Sequence, residues 1–257
     1  MGVARAAFTK AKEVRYTFEV LVRMLPEANI WFTQDGIAMK ALDPTKTALI
    51  ELMYTASSLE NYVLEEEVKV GLIFTTLKDI LKRIRATEKL EVEVDMERNR
   101  FNLYVYPKKG REVGLVRRFS VPIVSVYEEE APELQIDYEA TATLKADALV
   151  DAIDLIDKVS DWVQITVAPN GVAFRGVGDA GKTVEYILTQ RDEGLLNLTA
   201  SDAVSSKFST ETIKSFVSKM KAVSKSVEIS IANDKPGAFK YYFGVGELKV
   251  IVAPRAD

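Results

Sequence analysis

A short strand–turn–strand pattern occurs twice in this chain, at a spacing of about half its length. In the first copy Asp35-Gly36 is followed by IAM, and in the second Asn170-Gly171 is followed by VAF. Gly171 follows Gly36 by 135 residues in a chain of 257. Glycine accepts the backbone conformations that tight hairpin turns require. A period this long is typical of a duplicated domain, because solenoid repeats are much shorter.

The helical segments follow the same duplication. Residues 77–81, LKDIL, match residues 213–217, IKSFV, at an offset of 136. Apolar residues at helical spacing predict helices at 10–25, 74–86, 146–160 and 208–222. Alternating runs between them predict antiparallel strands. The sequence therefore predicts an α+β fold of two duplicated domains, each with two helices packed on antiparallel sheets.

The middle of the chain differs in composition from both halves. Pro122 and Pro132 enclose the acidic run Glu128–Glu130. Proline is poorly tolerated in helix interiors and in central strands. We therefore expect an extended linker at 121–136, between an N-terminal domain at 1–120 and a C-terminal domain at 137–257.

Composition narrows the possible functions. The chain has no cysteine and no histidine, so thiol chemistry and a histidine base are excluded. We expect no catalytic residue, no metal and no cofactor. One alternative of another class is a carboxylate-dependent metalloenzyme using Asp151, Asp154 and Asp157 of the third helix, but a solvated acidic face is the preferred explanation of these residues. The N-terminal segment has no apolar signal core and no run spans a bilayer, so neither secretion nor membrane insertion is expected.

Three of the four predicted helices have a basic polar face, although the chain's formal net charge is −4. The third helix differs because its polar face is acidic. It consists of Asp147 and the three aspartates named above, with Lys158 as the one cation. The basic positions are Lys12, Arg15 and Arg23 on the first helix, Lys78, Lys82 and Arg85 on the second, and Lys214, Lys219 and Lys221 on the fourth. Without a base-reading motif, such a surface suits sequence-independent contact with phosphates.

Four segments in this order resemble the sliding clamps of the proliferating cell nuclear antigen family. They are DGIAMKALDPTKTALIEL after the first helix, FTTLKDILKRIR in the second helix, the acidic proline-containing linker, and LKVIVAPRAD at the end. No long acidic segment follows Pro254, which resembles the archaeal type.

The resemblance implies the DNA clamp fold and a ring of three chains around duplex DNA. The ring would be a homotrimer, or a heterotrimer of related and specialised subunits, with strands near Arg111–Arg118 and Lys182–Gln190 pairing between subunits. It implies a non-catalytic processivity factor for DNA polymerase, flap nuclease and DNA ligase, opened by a clamp loader. It would act in the archaeal cytoplasm at the nucleoid, or in a eukaryotic nucleus. The residues expected to face DNA are Lys12, Arg15, Arg23, Lys78, Lys82, Arg85, Lys158, Lys214, Lys219 and Lys221.

The resemblance also implies a surface pocket for partner peptides with apolar and aromatic anchors. By position in the family's motifs, its residues are Leu42, Val126, Leu134, Tyr138, Pro236, Ile251, Ala253 and Pro254.

Overall fold

Backbone pairing in the computed structural model follows the duplication. The structure describes residues 4–107, 116–127 and 131–255. The α-helices are α1 (Lys12–Met24), α2 (Lys78–Lys82), α3 (Ala146–Ile156) and α4 (Thr210–Met220). The strands of the first half are β1 (Ala4–Phe8), β2 (Glu27–Thr33), β3 (Gly36–Leu42), β4 (Ala48–Thr55), β5 (Asn61–Leu64), β6 (Val68–Ile73), β7 (Lys89–Asp95), β8 (Arg100–Tyr106) and β9 (Arg117–Pro122). Those of the second half are β10 (Ala140–Lys145), β11 (Trp162–Ala168), β12 (Gly171–Val177), β13 (Thr183–Thr189), β14 (Leu195–Ala200), β15 (Val204–Ser209), β16 (Ser226–Ile231), β17 (Gly237–Phe243) and β18 (Gly246–Val252).

The chain folds as two units. The first takes in Met1–Asp43, Ile50–Ala131 and Phe243–Leu248, and the second takes in Pro44–Leu49, Pro132–Tyr242 and Lys249–Asp257. Each unit has two α-helices and mostly antiparallel strands, so the predicted α+β class of two duplicated domains is confirmed. The predicted domain limits at 120 and 137 stay a prediction.

The first unit covers its sheets with α1 and α2. One sheet has the order β5-β1-β7-β8-β9, and a second set of strands has the order β4-β3-β2-β6. Helix α1 buries Val14, Phe18 and Leu21, one stripe at helical spacing. The ring of Phe18 meets that of Phe74 edge to face at 6.0 Å. Burial of this stripe holds α1 with its polar side outward.

The second unit repeats the arrangement. One sheet has the order β13-β12-β11-β15, and the other includes β14-β10-β16-β17. Phe216 of α4 packs edge to face on Phe239 and Tyr241 of β17, with ring centres 5.5 and 6.3 Å apart. The sequence match between the helices is also structural, because Leu77 and Ile213 are both fully buried.

Several boundaries differ from the sequence-based predictions. The second predicted helix, 74–86, is a 3-10 turn at Phe74–Leu77 followed by the five residues of α2. Strands β1 and β15 were not predicted. Their sequences, ARAAF and VSSKFS, have weak strand character, and cross-strand pairing decides their conformation.

The first part of the predicted linker is hydrogen-bonded rather than free. Strand β9 continues to Pro122, and Val124 then forms an antiparallel bridge with Gly71 of β6. The acidic run Glu128–Glu130 and residues 111–115 of the predicted intersubunit strand lie outside the described residues.

Within the described ranges, no helix has both the length and the apolar character needed to span a membrane.

Candidate functional site

Helix α1 holds the first set of predicted DNA-facing cations. Arg23 is exposed, and Lys12 and Arg15 are half-buried. Arg15 is anchored on both sides, since its Nε donates to Glu19 at 3.0 Å and its Nη1 donates to the carbonyl of Ile84 at 2.8 Å. Arg15 therefore connects α1 to the turn after α2, and part of its hydrogen-bonding capacity is already used.

Helix α2 and the turn after it carry the second set. Lys78, Lys82 and Arg85 are all exposed. The Nζ of Lys82 lies 3.0 Å from a carboxylate oxygen of Asp79, one turn earlier. Among the described residues, neither Lys78 nor Arg85 has a carboxylate within ion-pair distance. Together α1 and α2 give the first unit a helical surface with excess positive charge.

The helices of the second unit have a different electrostatic arrangement. Lys214 of α4 forms an ion pair with Asp157, which directly follows α3. Lys221, just after α4, lies 3.6 Å from Asp147 in the first turn of α3. The hydrogen bond from Lys214 to Asp157 raises the pKa of the lysine above its ordinary value, although desolvation alone would lower it. Two predicted DNA-facing cations are thus paired across the α3–α4 contact.

The other two predicted DNA-facing cations of the second unit are Lys158 and Lys219. Lys158 is exposed at the end of α3, and Lys219 is half-buried on α4. Helix α4 starts at a Ser209 cap, whose hydroxyl accepts a hydrogen bond from the Thr212 amide at 3.3 Å. The cap and the buried face fix the direction in which the lysines project.

Most predicted pocket residues belong to the second unit. Leu134 is 42% exposed, whereas Ile251 is only 4% exposed and packs beneath the surface. Tyr138, Pro236, Ala253 and Pro254 are half-buried. Apolar side chains with this partial exposure can receive an apolar peptide anchor.

Backbone hydrogen bonds hold the chain end of the second unit. The Ala253 amide donates to the carbonyl of Thr47 and the Arg255 amide to the carbonyl of Lys207, both at 2.8 Å. The guanidinium of Arg255 also lies 2.7 Å from Asp161. These contacts fix the path of Ala253 and its neighbour without a regular element.

The two pocket residues of the first unit lie on separate elements. Leu42, half-buried, ends β3 just before the Asp43-Pro44 turn. Val126, also half-buried, follows the Val124 bridge, and its carbonyl accepts a hydrogen bond from Asn29 Nδ2 at 3.3 Å.

The residues that contact the α4 lysines and the linker were not predicted from the sequence. The partners of Lys214 and Lys221 were noted only as an acidic face, and the linker contacts of Asn29 and Gly71 were not anticipated. The opposite charges of the third and fourth predicted helices could have indicated the ion pairs of Lys214 and Lys221. Nothing in the sequence indicated the linker contacts, because they depend on strand register.

The metal-dependent alternative gains no support from the geometry. In the described part of the chain, no three carboxylates gather closely enough to hold a metal ion. Asp157, one of the three aspartates proposed as metal ligands, forms an ion pair with Lys214 instead.

Both halves of the chain match domains of known proteins. The N-terminal domain of proliferating cell nuclear antigen matches residues 4–123, and its C-terminal domain matches residues 132–255. The DNA polymerase sliding clamp 2 of Pyrobaculum aerophilum is 54% identical over 98% of this chain and 99% of that protein. The sliding clamp 1 of the same organism is 28% identical over 97% of each chain.

Solved structures agree at the level of the fold. The proliferating cell nuclear antigen of Thermococcus kodakaraensis superposes with a TM-score of 0.89 at 23% identity, covering 98% of this chain and all of that one. A chain of the PCNA2–PCNA3 complex of Sulfolobus tokodaii gives 0.89 at 24% identity, with 98% and 100% coverage. From its two matching domains and its archaeal relatives, the chain belongs to the proliferating cell nuclear antigen family.

Proposed function

We propose that this protein is a DNA polymerase sliding clamp, a processivity factor that encircles duplex DNA and tethers replication and repair enzymes to it. The observation that carries the proposal is the match of both halves to the clamp family, together with 54% identity to a protein named as such a clamp. The active form is a ring of three chains, in which the cationic helix surfaces face the DNA.

Loose contact with DNA suits this role. A clamp has to move along the duplex, so its contacts must be independent of sequence and easily exchanged. Lysine and arginine contacts with phosphates have this character, with dissociation constants of about 10⁻⁴–10⁻⁶ M at physiological salt. The proposed contact residues are the ten cations that the family resemblance implies.

Threading onto linear DNA tests the ring without a loader. A closed ring can slide onto a duplex with open ends, but it cannot reach one whose ends are already blocked by biotin–streptavidin. We expect the protein to associate with the open duplex at low salt and to be retained when the ends are blocked afterwards. Equal binding to DNA blocked before and after mixing would contradict encirclement.

We also propose that partner peptides dock on the apolar surface around Leu134 and Pro254. Two observations support this proposal: Leu134 is 42% exposed, and hydrogen bonds fix the backbone of Ala253 and Arg255 on either side of Pro254. We expect Leu134→Ala to weaken binding of a peptide with apolar and aromatic anchors by more than about 1 kcal/mol, because such anchors concentrate binding energy. Leu155→Ala, at a similarly exposed leucine of α3, is the matched control. Equal losses in both variants would remove Leu134 from the pocket.

A specialised subunit of a heterotrimer is the second candidate. It is favoured by the two clamps of Pyrobaculum aerophilum, of which one is 54% and the other 28% identical to this chain. The PCNA2–PCNA3 complex is a related assembly of unlike chains. Light scattering on the chain purified alone discriminates, because a three-chain mass supports self-assembly. A single-chain mass that rises on adding a sister clamp supports the heterotrimer.

In either assembly the protein performs no chemistry of its own. It requires no cofactor. Its role is to hold a polymerase, flap nuclease or ligase on DNA after a clamp loader has opened the ring and placed it there. We place it with the genome, in the nucleoid-associated cytoplasm expected for an archaeal clamp. Hydrolytic activity on DNA by the pure protein with added magnesium would contradict this assignment.

A further inference from the structure

The helices of the two units differ in charge. Segments 12–24 and 78–86 of the first unit contain seven lysines or arginines and three acidic residues, a net charge of +4. Segments 146–158 and 210–221 of the second unit contain four lysines and five acidic residues, a net charge of −1. The summed charge of the helical segments therefore has opposite sign in the two units, and the sign differs at α3, since segment 146–158 has a net charge of −3 and the related segment 12–24 a net charge of +1.

Contacts between α3 and α4 explain how the lysines of the second unit are neutralised. Asp157 forms an ion pair with Lys214, and Asp147 lies 3.6 Å from Lys221. Asp151 and Asp154 lie exposed between them along α3. The acidic helix thus supplies one partner for each of two α4 cations and further negative charge beside them.

Helix stability alone does not explain Asp157. It lies at the C-terminal end of α3, where the helix dipole disfavours a negative charge. Its interaction with Lys214 offsets this penalty, but the side chain remains about one-third exposed, so the pair adds little stability of its own. A role in setting the surface charge accounts for the residue better.

The same carboxylates compete with DNA. A phosphate that approaches Lys214 or Lys221 has to displace a carboxylate that is already in place. It also approaches Asp151 and Asp154 within a distance comparable to the Debye length of about 8 Å at physiological ionic strength, so it is repelled. The first of these costs does not apply at Lys78 or Arg85 of the first unit, for which the described residues provide no carboxylate within ion-pair distance.

We propose that the two units of this clamp contribute unequally to DNA contact, and that Asp157 and Asp147 keep the affinity of the second unit low. This inference rests on the proposed clamp function. The first unit supplies most phosphate contacts, and α3 acts as an internal competitor that keeps the ring's hold on DNA weak enough for movement.

The test measures salt-dependent DNA binding of the double variant Asp157→Asn, Asp147→Asn. Asparagine keeps the side-chain shape and removes the charge, so Lys214 and Lys221 become available. Each new phosphate contact steepens the slope of log K against log salt by about 0.9, which corresponds to roughly a threefold tighter complex at 50 mM than at 200 mM salt relative to wild type. We therefore expect the double variant to bind an open-ended duplex more tightly at 50 mM salt, and its ratio of affinities at 50 and 200 mM salt to exceed that of the wild type by about threefold for one new contact and about twelvefold for two.

Two further variants separate the mechanism from a general charge effect. Glu66→Gln removes one carboxylate from the exposed turn between β5 and β6, outside the helices, and is expected to leave the slope unchanged. Adding Lys214→Ala and Lys221→Ala to the double variant should abolish its gain, since the gain requires the released cations. A gain that persists without these lysines would overturn the competition mechanism.

The outcome is distinguishable from failure of the clamp function itself. If wild-type protein does not thread onto open-ended DNA, the proposed function fails. If it threads normally but the double variant, with an unchanged melting temperature, shows the wild-type salt slope, the inference about α3 is wrong.

Discussion

Glu93 illustrates how a single buried carboxylate is accommodated on the polar face of a sheet. It lies on β7 and is 6% exposed. Its carboxylate accepts hydrogen bonds from Arg5 on the neighbouring strand β1, and from Asn102 and Tyr104 on β8, the latter two at 3.0 Å. Burial raises the pKa of Glu93, but these donors outweigh burial, so that the pKa lies below its ordinary value. The charged form is therefore the one that the folded protein favours.

The first prediction concerns the pH dependence of stability at Glu93. Because its folded pKa is depressed, its contribution is complete above the unfolded pKa of about 4.3 and is lost as pH falls through the folded value. Glu93→Gln should lower stability at pH 7 by about 1–3 kcal/mol, since it weakens charged hydrogen bonds. The loss should shrink as the pH falls below about 4.3, which thermal unfolding from pH 7 to pH 3 measures.

The control for this prediction is another carboxylate on an exposed turn. Glu66→Gln should change neither the melting temperature at pH 7 nor its pH profile. If Glu93→Gln showed a constant deficit across the range, the charge of Glu93 would not be the source of the effect.

Gly36 illustrates a residue requirement that the sequence did reveal. Its φ of +139° is strained for residues with a side chain, and a Cβ there would lie 2.0 Å from the carbonyl oxygen of Tyr54. Its duplicate, Gly171, has no positive φ, but a Cβ would lie 2.3 Å from the carbonyl oxygen of Leu188. The turn glycines were predicted correctly, although close backbone approach is the reason they share.

We predict that Gly36→Ala destabilises the protein by about 2–4 kcal/mol, because backbone strain and a backbone clash add together. Gly181→Ala is the matched control. Gly181 has a φ of +74°, but apart from its two chain neighbours no atom of the described residues lies within 4 Å of a Cβ placed there. Strain alone should cost about 1 kcal/mol there. Denaturant unfolding of both variants measures the difference, and equal losses would exclude the clash at Gly36.

At the scale of elements, strand β6 holds the start of the linker. The Val124 amide donates to the carbonyl of Gly71 at 3.0 Å, and the Val126 carbonyl accepts from Asn29. Asn29 and Gly71 are directly opposite each other on β2 and β6. A Cβ on Gly71 would lie 2.3 Å from the Val124 carbonyl oxygen, so only glycine allows this approach.

The third prediction is that Gly71→Ala releases the linker from β6. The Val124 amide should lose its hydrogen bond, and its hydrogen exchange should accelerate by about tenfold or more, as local opening becomes easier. Exchange measured on the segment 121–127 reports this directly. Ser125→Ala, at an exposed linker position, should leave the exchange rate unchanged. Unaltered protection in Gly71→Ala would mean that the bridge does not anchor the linker.

Elements differed in how far the sequence could predict them. Helix α1 was recognisable because Val14, Phe18 and Leu21 form a strong buried stripe. Helix α2 is shorter than its apolar pattern predicts, because the segment begins as a 3-10 turn. Strand β1 could not be predicted, since ARAAF becomes a strand only through its pairing with β5 and β7. The linker contacts and the α3–α4 ion pairs depend on tertiary packing, so local pattern could only suggest the charges involved.

At the scale of the whole molecule, two of the edge strands are those that we expect to pair between subunits. Within the described residues, β9 and β13 each lie at the edge of a sheet. An exposed edge strand presents unpaired backbone groups that favour pairing with another chain. On β13 the side chain of Ile187 is 59% exposed, whereas the other exposed positions of the strand are the polar residues Thr183, Glu185 and Thr189. The duplication predicted the two-domain fold, and the edges account for the proposed ring.

The last prediction is that Ile187→Lys weakens assembly without unfolding the chain. A lysine on β13 would place a charge in the proposed contact between subunits, where apolar area of this kind contributes about 25 cal/mol per Å². Leu196→Lys is the matched control, because Leu196 is 52% exposed on β14, an edge strand of a different sheet. Light scattering across a dilution series should show the Ile187 variant dissociating at concentrations where the wild type and the Leu196 variant keep their assembled mass. Circular dichroism should be the same for all three proteins, since both positions are on the surface. If the Leu196 variant dissociated and the Ile187 variant did not, the subunit contact would lie at β14, and the proposed ring geometry would have to be abandoned.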